Sequence, residues 1–131
     1  MLRKSVIATV IIFIIWAIID FIVHGFILAG DYSETSQLWR PMAQMNPLLI
    51  YLVSIVSACV FSLIYVLLIK EKGVPEAIKY GALFGLGAGF SMGYGSYAAM
   101  PITAFIANTW FIAALIKYVL GGVILGIMVK E

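Results

Sequence analysis

Three ionisable side chains stand inside otherwise apolar runs: Asp20 and His24 in IIDFIVHG (residues 18–25) and Lys117 in AALIKYVL (113–120). An aspartate and a histidine four residues apart share one face of a helix. That pair can pass a proton, hold a counter-ion or offer two ligands to a divalent ion. At about 1.5 Å per residue, Asp20 falls roughly 14 Å and His24 roughly 8 Å below a helix end near Ala29, and Lys117 about 12 Å in from one near Thr109. The matching depths predict an Asp20–Lys117 contact between the first and last helices, with His24 one turn nearer the outside. An unpaired charge at such depth costs about 2.5–3.5 kcal/mol on the insertion scale, and pairing lowers that cost. The expected intramembrane polar cluster is Asp20, His24, Lys117, Tyr94 and Tyr97. Tyr51, Ser54, Ser57, Ser91 and Ser96 fall at similar depths, while the inner halves of the helices read as nearly pure hydrocarbon.

The chemistry available to this set is narrow. Asp20 and His24 are weak metal-ligand candidates, since no second histidine exists and Cys59 lies too deep to join them easily. A haem held by two histidines is excluded within one chain, since His24 is the only one, though a symmetric dimer could still share one; no cofactor is expected. No nucleophile, base and orienting group converge, so no catalytic residue and no enzyme activity are expected. Cys59 has no intrachain partner and reads as a small packing residue.

The elements that must position these residues follow from composition. The chain is 64% hydrophobic and 11% charged, against roughly half and about a quarter in soluble domains. Four apolar segments, about 5–29, 47–69, 75–100 and 103–129, each supply the roughly 20 residues that a helical span needs. No alternation of period two appears, and only helices satisfy their own backbone groups in lipid. The expected fold is all-α integral membrane, a single domain over 1–131 with four transmembrane helices in an antiparallel bundle. The run after Arg3-Lys4 is too long for a cleavable signal, whose apolar region spans about 7–15 residues. Asn46-Pro47 reads as a cap and first helical residue, Gly73 and Pro75 as the end of one helix and the start of the next, and Met100-Pro101 as a helix stop. Between Pro101 and Asn108, loop and early helix stay open.

Basic residues set the orientation. Arg3, Lys4, Lys70, Lys72, Lys79 and Lys130 fall on one side of a four-span topology and only Arg40 on the other, so both termini are expected in the cytoplasm, in an inner membrane. With those charges at helix ends, the net charge of +2 leaves no nucleic-acid footprint. The outer connection GDYSETSQLWRPMAQMN (30–46) reads as an interfacial loop with a short amphipathic element starting near Asp31. Its Leu38, Met42 and Met45 recur at helical spacing, with Trp39 in the headgroup belt and Arg40 reaching to phosphates.

In YGALFGLGAGFSMGYGSY (80–97), Gly81, Gly85, Gly89 and Gly93 recur every four residues, and Ser54, Ala58, Ser62 and Ala114, Gly122, Gly126 make like stripes elsewhere. Such stripes let helix backbones approach closely in lipid, within one chain or between subunits. Gly85-Leu86-Gly87 follows no strand and is not a nucleotide loop.

At DFIVHG, LWRP and GYGSYAAMPI the chain resembles small bacterial four-helix integral membrane proteins grouped as a domain of unknown function. The resemblance implies a four-span inner-membrane fold over nearly the whole chain and no particular activity. The residues themselves favour a protein working by association in the bilayer, as an accessory subunit of another membrane complex or as a homo-oligomer. The alternatives are a transporter or channel for an ion, proton or small polar solute, and, third, a metal- or haem-binding membrane module.

Overall fold

The computed structural model of the chain describes residues 1–130. It is all-helical, with 85% helix and no strand among the described residues. Helix α1 (Leu2–Ile22) runs into a π-turn (Val23–Ile27), and α2 (Ala29–Glu34) follows after a break at Leu28. Then come α3 (Pro47–Leu68), α4 (Val74–Phe90) with its own π-turn (Ser91–Gly95) and a last turn α5 (Ser96–Ala99), and α6 (Ala104–Met128). Three helices, Leu2–Ile27, Pro47–Leu68 and Ala104–Met128, are long and apolar enough to cross a membrane. The continuous rod from α4 to α5 is as long but carries six glycines, which add almost no apolar surface.

Two helix starts have a side-chain cap. Asn46 Oδ1 accepts from the Leu49 N–H at 3.1 Å with Pro47 in the first turn, and Thr103 Oγ1 accepts from the Ile106 N–H at 3.2 Å. The second resolves the open stretch: Pro101 to Thr103 is a connection, and the helix begins at Ala104.

Gly73 differs from expectation. The third helix stops at Leu68, and Gly73 is the N-cap of α4 in extended backbone, its φ being 166°. The glycine that proximity demands here is Gly126 of α6: a Cβ on it would lie 3.0 Å from the Gly73 carbonyl oxygen and 2.7 Å from the Val74 Cα.

The outer connection also departs from a single amphipathic element. Leu38 and Met42 belong to two separate 3₁₀ turns, Ser36–Leu38 and Met42–Gln44, and Met45 is extended. Pro41 is the reason, because a proline drives the backbone before it out of the helical region. Asp31 caps nothing; it sits in the first turn of α2, whose N-cap is Leu28.

The glycine stripe of α4 and its π-turn is spent on α6. A Cβ on Gly81 would meet the Tyr118 carbonyl oxygen at 2.3 Å, on Gly85 the Leu115 Cα at 3.1 Å, on Gly89 the Ala114 Cβ at 2.9 Å, and on Gly93 the Ala107 carbonyl oxygen at 2.6 Å. The approach is mutual, since a Cβ on Gly122 would lie 2.3 Å from the Ala77 carbonyl oxygen. None of these four glycines is left for a second subunit.

The half of the stack nearer the chain's ends is aromatic rather than aliphatic. Ala8, Ile12 and Trp16 of α1 share a core with Ala58, Phe61 and Tyr65 of α3, Ala77 of α4, and Leu125 and Val129 at the end of α6, so the chain's two ends lie at the same end of the stack. Phe61 is central, its ring 5.5 Å from Trp16, 4.7 Å from Tyr80, 5.4 Å from Phe84 and 5.3 Å from Tyr118. The polar ends in this cluster find backbone partners: Tyr80 Oη donates to the Phe61 carbonyl at 2.7 Å and Trp16 Nε1 to the Lys117 carbonyl at 2.7 Å. Gly121 makes room for it, because a Cβ there would lie 2.9 Å from the Phe61 ring.

Candidate solute-binding cavity

Above this aromatic floor α3 loses its neighbours. Every residue from Leu48 to Val53 is exposed, and the space between α3 and the α1–α6 pair is a cavity of about 290 Å³. Its polar lining is Asp20 and His24 from α1, Ser54 and Ser57 from α3, and Lys117 and Tyr118 from α6. Trp16, Val53, Met92, Trp110 and Ala113 supply apolar wall.

Asp20 and Lys117 meet across α1 and α6 as their depths require. The Lys117 ammonium donates to Asp20 Oδ1 at 2.8 Å and Oδ2 at 3.0 Å, and sits 5.5 Å over the Trp16 ring. Their side chains are 20% and 29% exposed, so the pair is a wall of the cavity and not a sealed contact. That matters energetically, because a dry pair must repay its desolvation through the pairing alone, whereas a wetted one keeps part of its hydration.

His24 lies in the α1 π-turn with Nε2 4.0 Å from Asp20 Oδ1. Its Nδ1 is 2.6 Å from Tyr32 Oη, and Trp110 Nε1 donates to the same phenol oxygen at 2.8 Å. An indole N–H can only donate, so Tyr32 accepts from Trp110, and its oxygen shares one proton with His24 Nδ1. When Tyr32 donates that proton, the neutral ring carries its hydrogen on Nε2, on the Asp20 side; when Nδ1–H donates, Nε2 is left as an acceptor. Burial pushes the Tyr32 phenol above its ordinary pKa, and the Trp110 hydrogen bond acts the other way.

A second, larger groove of about 830 Å³ opens outside the first, between the α1 π-turn, α2 and the outer connection. His24 and Trp110 line both spaces and so stand at the neck between them. Trp39 lines this groove: its indole N–H donates to Thr35 Oγ1 at 2.9 Å, and its ring lies 5.3 Å from Tyr32 and 6.0 Å from Trp110. Arg40 is the one permanently charged side chain among the described residues that line it.

Two expected members are elsewhere. Tyr94 donates to Asn108 Oδ1 at 2.6 Å and packs on Phe90 and Phe111, and Tyr97 is 49% exposed. Depth alone grouped them with the cluster, and the π-turn that begins at Ser91 sets which way they face. Conversely, Trp110 was legible as seven residues before Lys117, two turns up the same face of α6. Tyr32 was not, because the chain breaks at Leu28 between it and His24. For a metal ion, Asp20 and His24 offer only two ligands, and no group of three His, Cys, Asp or Glu side chains forms among the described residues.

Comparison with protein-family models, curated proteins and solved structures found no match to this chain.

Proposed function

We propose that the protein is a four-span inner-membrane protein, with both termini cytoplasmic, whose outer half binds a small polar solute in the manner of a transporter. The observation that carries this reading is the Asp20–Lys117 pair forming the wall of an open cavity instead of being packed away between helices. Intramembrane charges that line a cavity are characteristic of solute and ion pathways. The aromatic core below the pair closes the inner half, so this conformation faces outward. Orientation rests on the six basic residues at the end where the termini meet. The fourth span, from α4 to α5, has few apolar side chains because α6 covers its glycine face.

The test is thiol accessibility in a Cys59→Ser background. A cysteine at Ser57, which lines the cavity, is expected to react with an impermeant thiol reagent added outside right-side-out vesicles. A cysteine at Lys130 is expected to react only after permeabilisation. A Ser57→Cys protein that stays unlabelled from both sides would refute the cavity reading.

Association with another chain has one observation in its favour. A groove of about 590 Å³ between α1 and α3 at the inner end holds Ser62, whose buried hydroxyl has no partner, beside Cys59. Oxidative cross-linking through the native Cys59 in membranes would trap a dimer if a second copy packs there; a monomer under saturating oxidant speaks against it.

A further inference from the structure

We propose that the cavity takes up a small monocarboxylate together with one proton, which reaches Asp20 from the outer groove through Tyr32 and His24 and frees Lys117 to bind the carboxylate. This rests on the cavity reading above and names its solute class.

The charge balance points to an anion. Among the described residues Lys117 is the one permanent cation lining the inner cavity, and both its close contacts go to Asp20. An entering carboxylate must take the place of the Asp20 carboxylate, and two anions at one ammonium repel each other. With Asp20 protonated, the site holds one ammonium and one carboxylate, as it did before, and its net charge does not change. The apolar walls, Trp16, Val53, Met92 and Ala113, suit an uncharged body behind the carboxylate, and Arg40 in the outer groove favours anions at the entrance.

A route for the proton is built in. The groups facing Asp20 are Lys117 and Tyr118 from α6, His24 from its own helix and Tyr32 through His24. Among the described residues α3 brings no titratable group, only the hydroxyls of Ser54 and Ser57 beside Ile50 and Val53, and the α4 π-turn brings Met92. A hydronium ion in the outer groove gives a proton to Tyr32 Oη and is left as water, while the phenol's own proton passes to His24 Nδ1. The Nε2–H bond of the imidazolium then breaks as an O–H bond forms on Asp20 Oδ1, across the 4.0 Å gap that one water can bridge. One proton has moved from the hydronium ion to the carboxyl, the ring is neutral with its hydrogen on Nδ1, and release runs the same steps backwards. The Trp110 hydrogen bond holds the Tyr32 oxygen in place for both states of the ring.

Benzoate is the probe, titrated calorimetrically into the full chain in nanodiscs, in buffers of different ionisation enthalpy. About one proton is expected to be taken up per benzoate, with affinity falling about tenfold per unit rise in pH where Asp20 is ionised in the free protein. In Asp20→Asn, benzoate is expected to bind with no proton uptake and no pH dependence. In Tyr32→Phe the stoichiometry is expected to stay at one while proton uptake, followed by stopped flow with a pH dye, slows by tenfold or more. Benzoate binding without proton uptake in the wild type, uptake that persists in Asp20→Asn, or no benzoate binding while Ser57→Cys is still labelled from outside would each overturn the proposal. The last would leave the cavity reading standing, whereas an unlabelled Ser57→Cys would remove both.

Discussion

Alanine at Gly81 and alanine at Gly87 are the same substitution in one helix, six residues apart, and the packing of α4 on α6 gives them opposite signs. A methyl group on Gly81 would lie 2.3 Å from the Tyr118 carbonyl oxygen, 3.0 Å from its carbon and 3.3 Å from the Val119 Cα, all of them backbone. Carbon-to-oxygen contacts are comfortable at about 3.3 Å and beyond, so the two helices must part by roughly 1 Å. Overpacking of this kind costs about 1–3 kcal/mol, and an obstacle made of backbone places it near the upper end. Alanine regains about 1 kcal/mol over glycine as a helix former, which leaves Gly81→Ala about 2 kcal/mol less stable than wild type. At Gly87 nothing lies within 4 Å, so only the gain of up to about 1 kcal/mol remains. Gly122→Ala, with the Ala77 carbonyl oxygen at 2.3 Å, should follow Gly81, while Gly121→Ala meets side-chain ring atoms of Phe61 and Trp16 in place of backbone and should fall between. Unfolding free energies in mixed micelles, titrated with a denaturing detergent, measure the differences. Equal effects at Gly81 and Gly87, or stabilisation at Gly81, would refute the close approach of α4 and α6.

Other outcomes follow from the polar half. Asp20→Asn leaves the Lys117 ammonium without its carboxylate and is expected to cost about 2–3 kcal/mol, much of it regained in Asp20→Asn/Lys117→Met; a double variant as unstable as the two singles summed would argue against the pair. Tyr32 has a raised pKa, so its contribution to stability is full below about pH 10 and is lost as pH rises through the higher folded value. The tyrosinate signal missing from an alkaline absorbance titration of Tyr32→Phe should therefore titrate above pH 10, and a component at or below it would contradict the burial of that phenol.

The residues that specify depth and capping were legible in the sequence. Asn46-Pro47 marks a helix start on its own, and Asp20 and Lys117 announce their contact because their distances from the helix ends agree. The glycine spacing revealed a close-packed face but not its partner, because stripes of small residues on two other helices fitted equally well. Only the backbone contacts single out α6. Tyr94 and Tyr97 misled for a different reason: depth along a helix says how far in a residue lies but not which face of the helix it takes, and Tyr94 turns to Asn108 instead of the cavity. The aromatic floor and Tyr32 were invisible to periodicity: the first joins four helices, and the second reaches His24 across a chain break. Resolving such sites requires tertiary packing, which a helical repeat does not encode.

The central claim is that water outside the membrane reaches the Asp20–Lys117 pair and that Lys117 sets the charge there. Asp20→Cys, made in the Cys59→Ser background, places a thiol beside an unpaired ammonium. Its modification rate by externally added impermeant methanethiosulfonates of opposite charge measures access and charge together. A sulfonate reagent is expected to react faster than a trimethylammonium reagent, with the preference lost in Lys117→Met. No reaction from the outside, or faster reaction with the cationic reagent, would contradict the account.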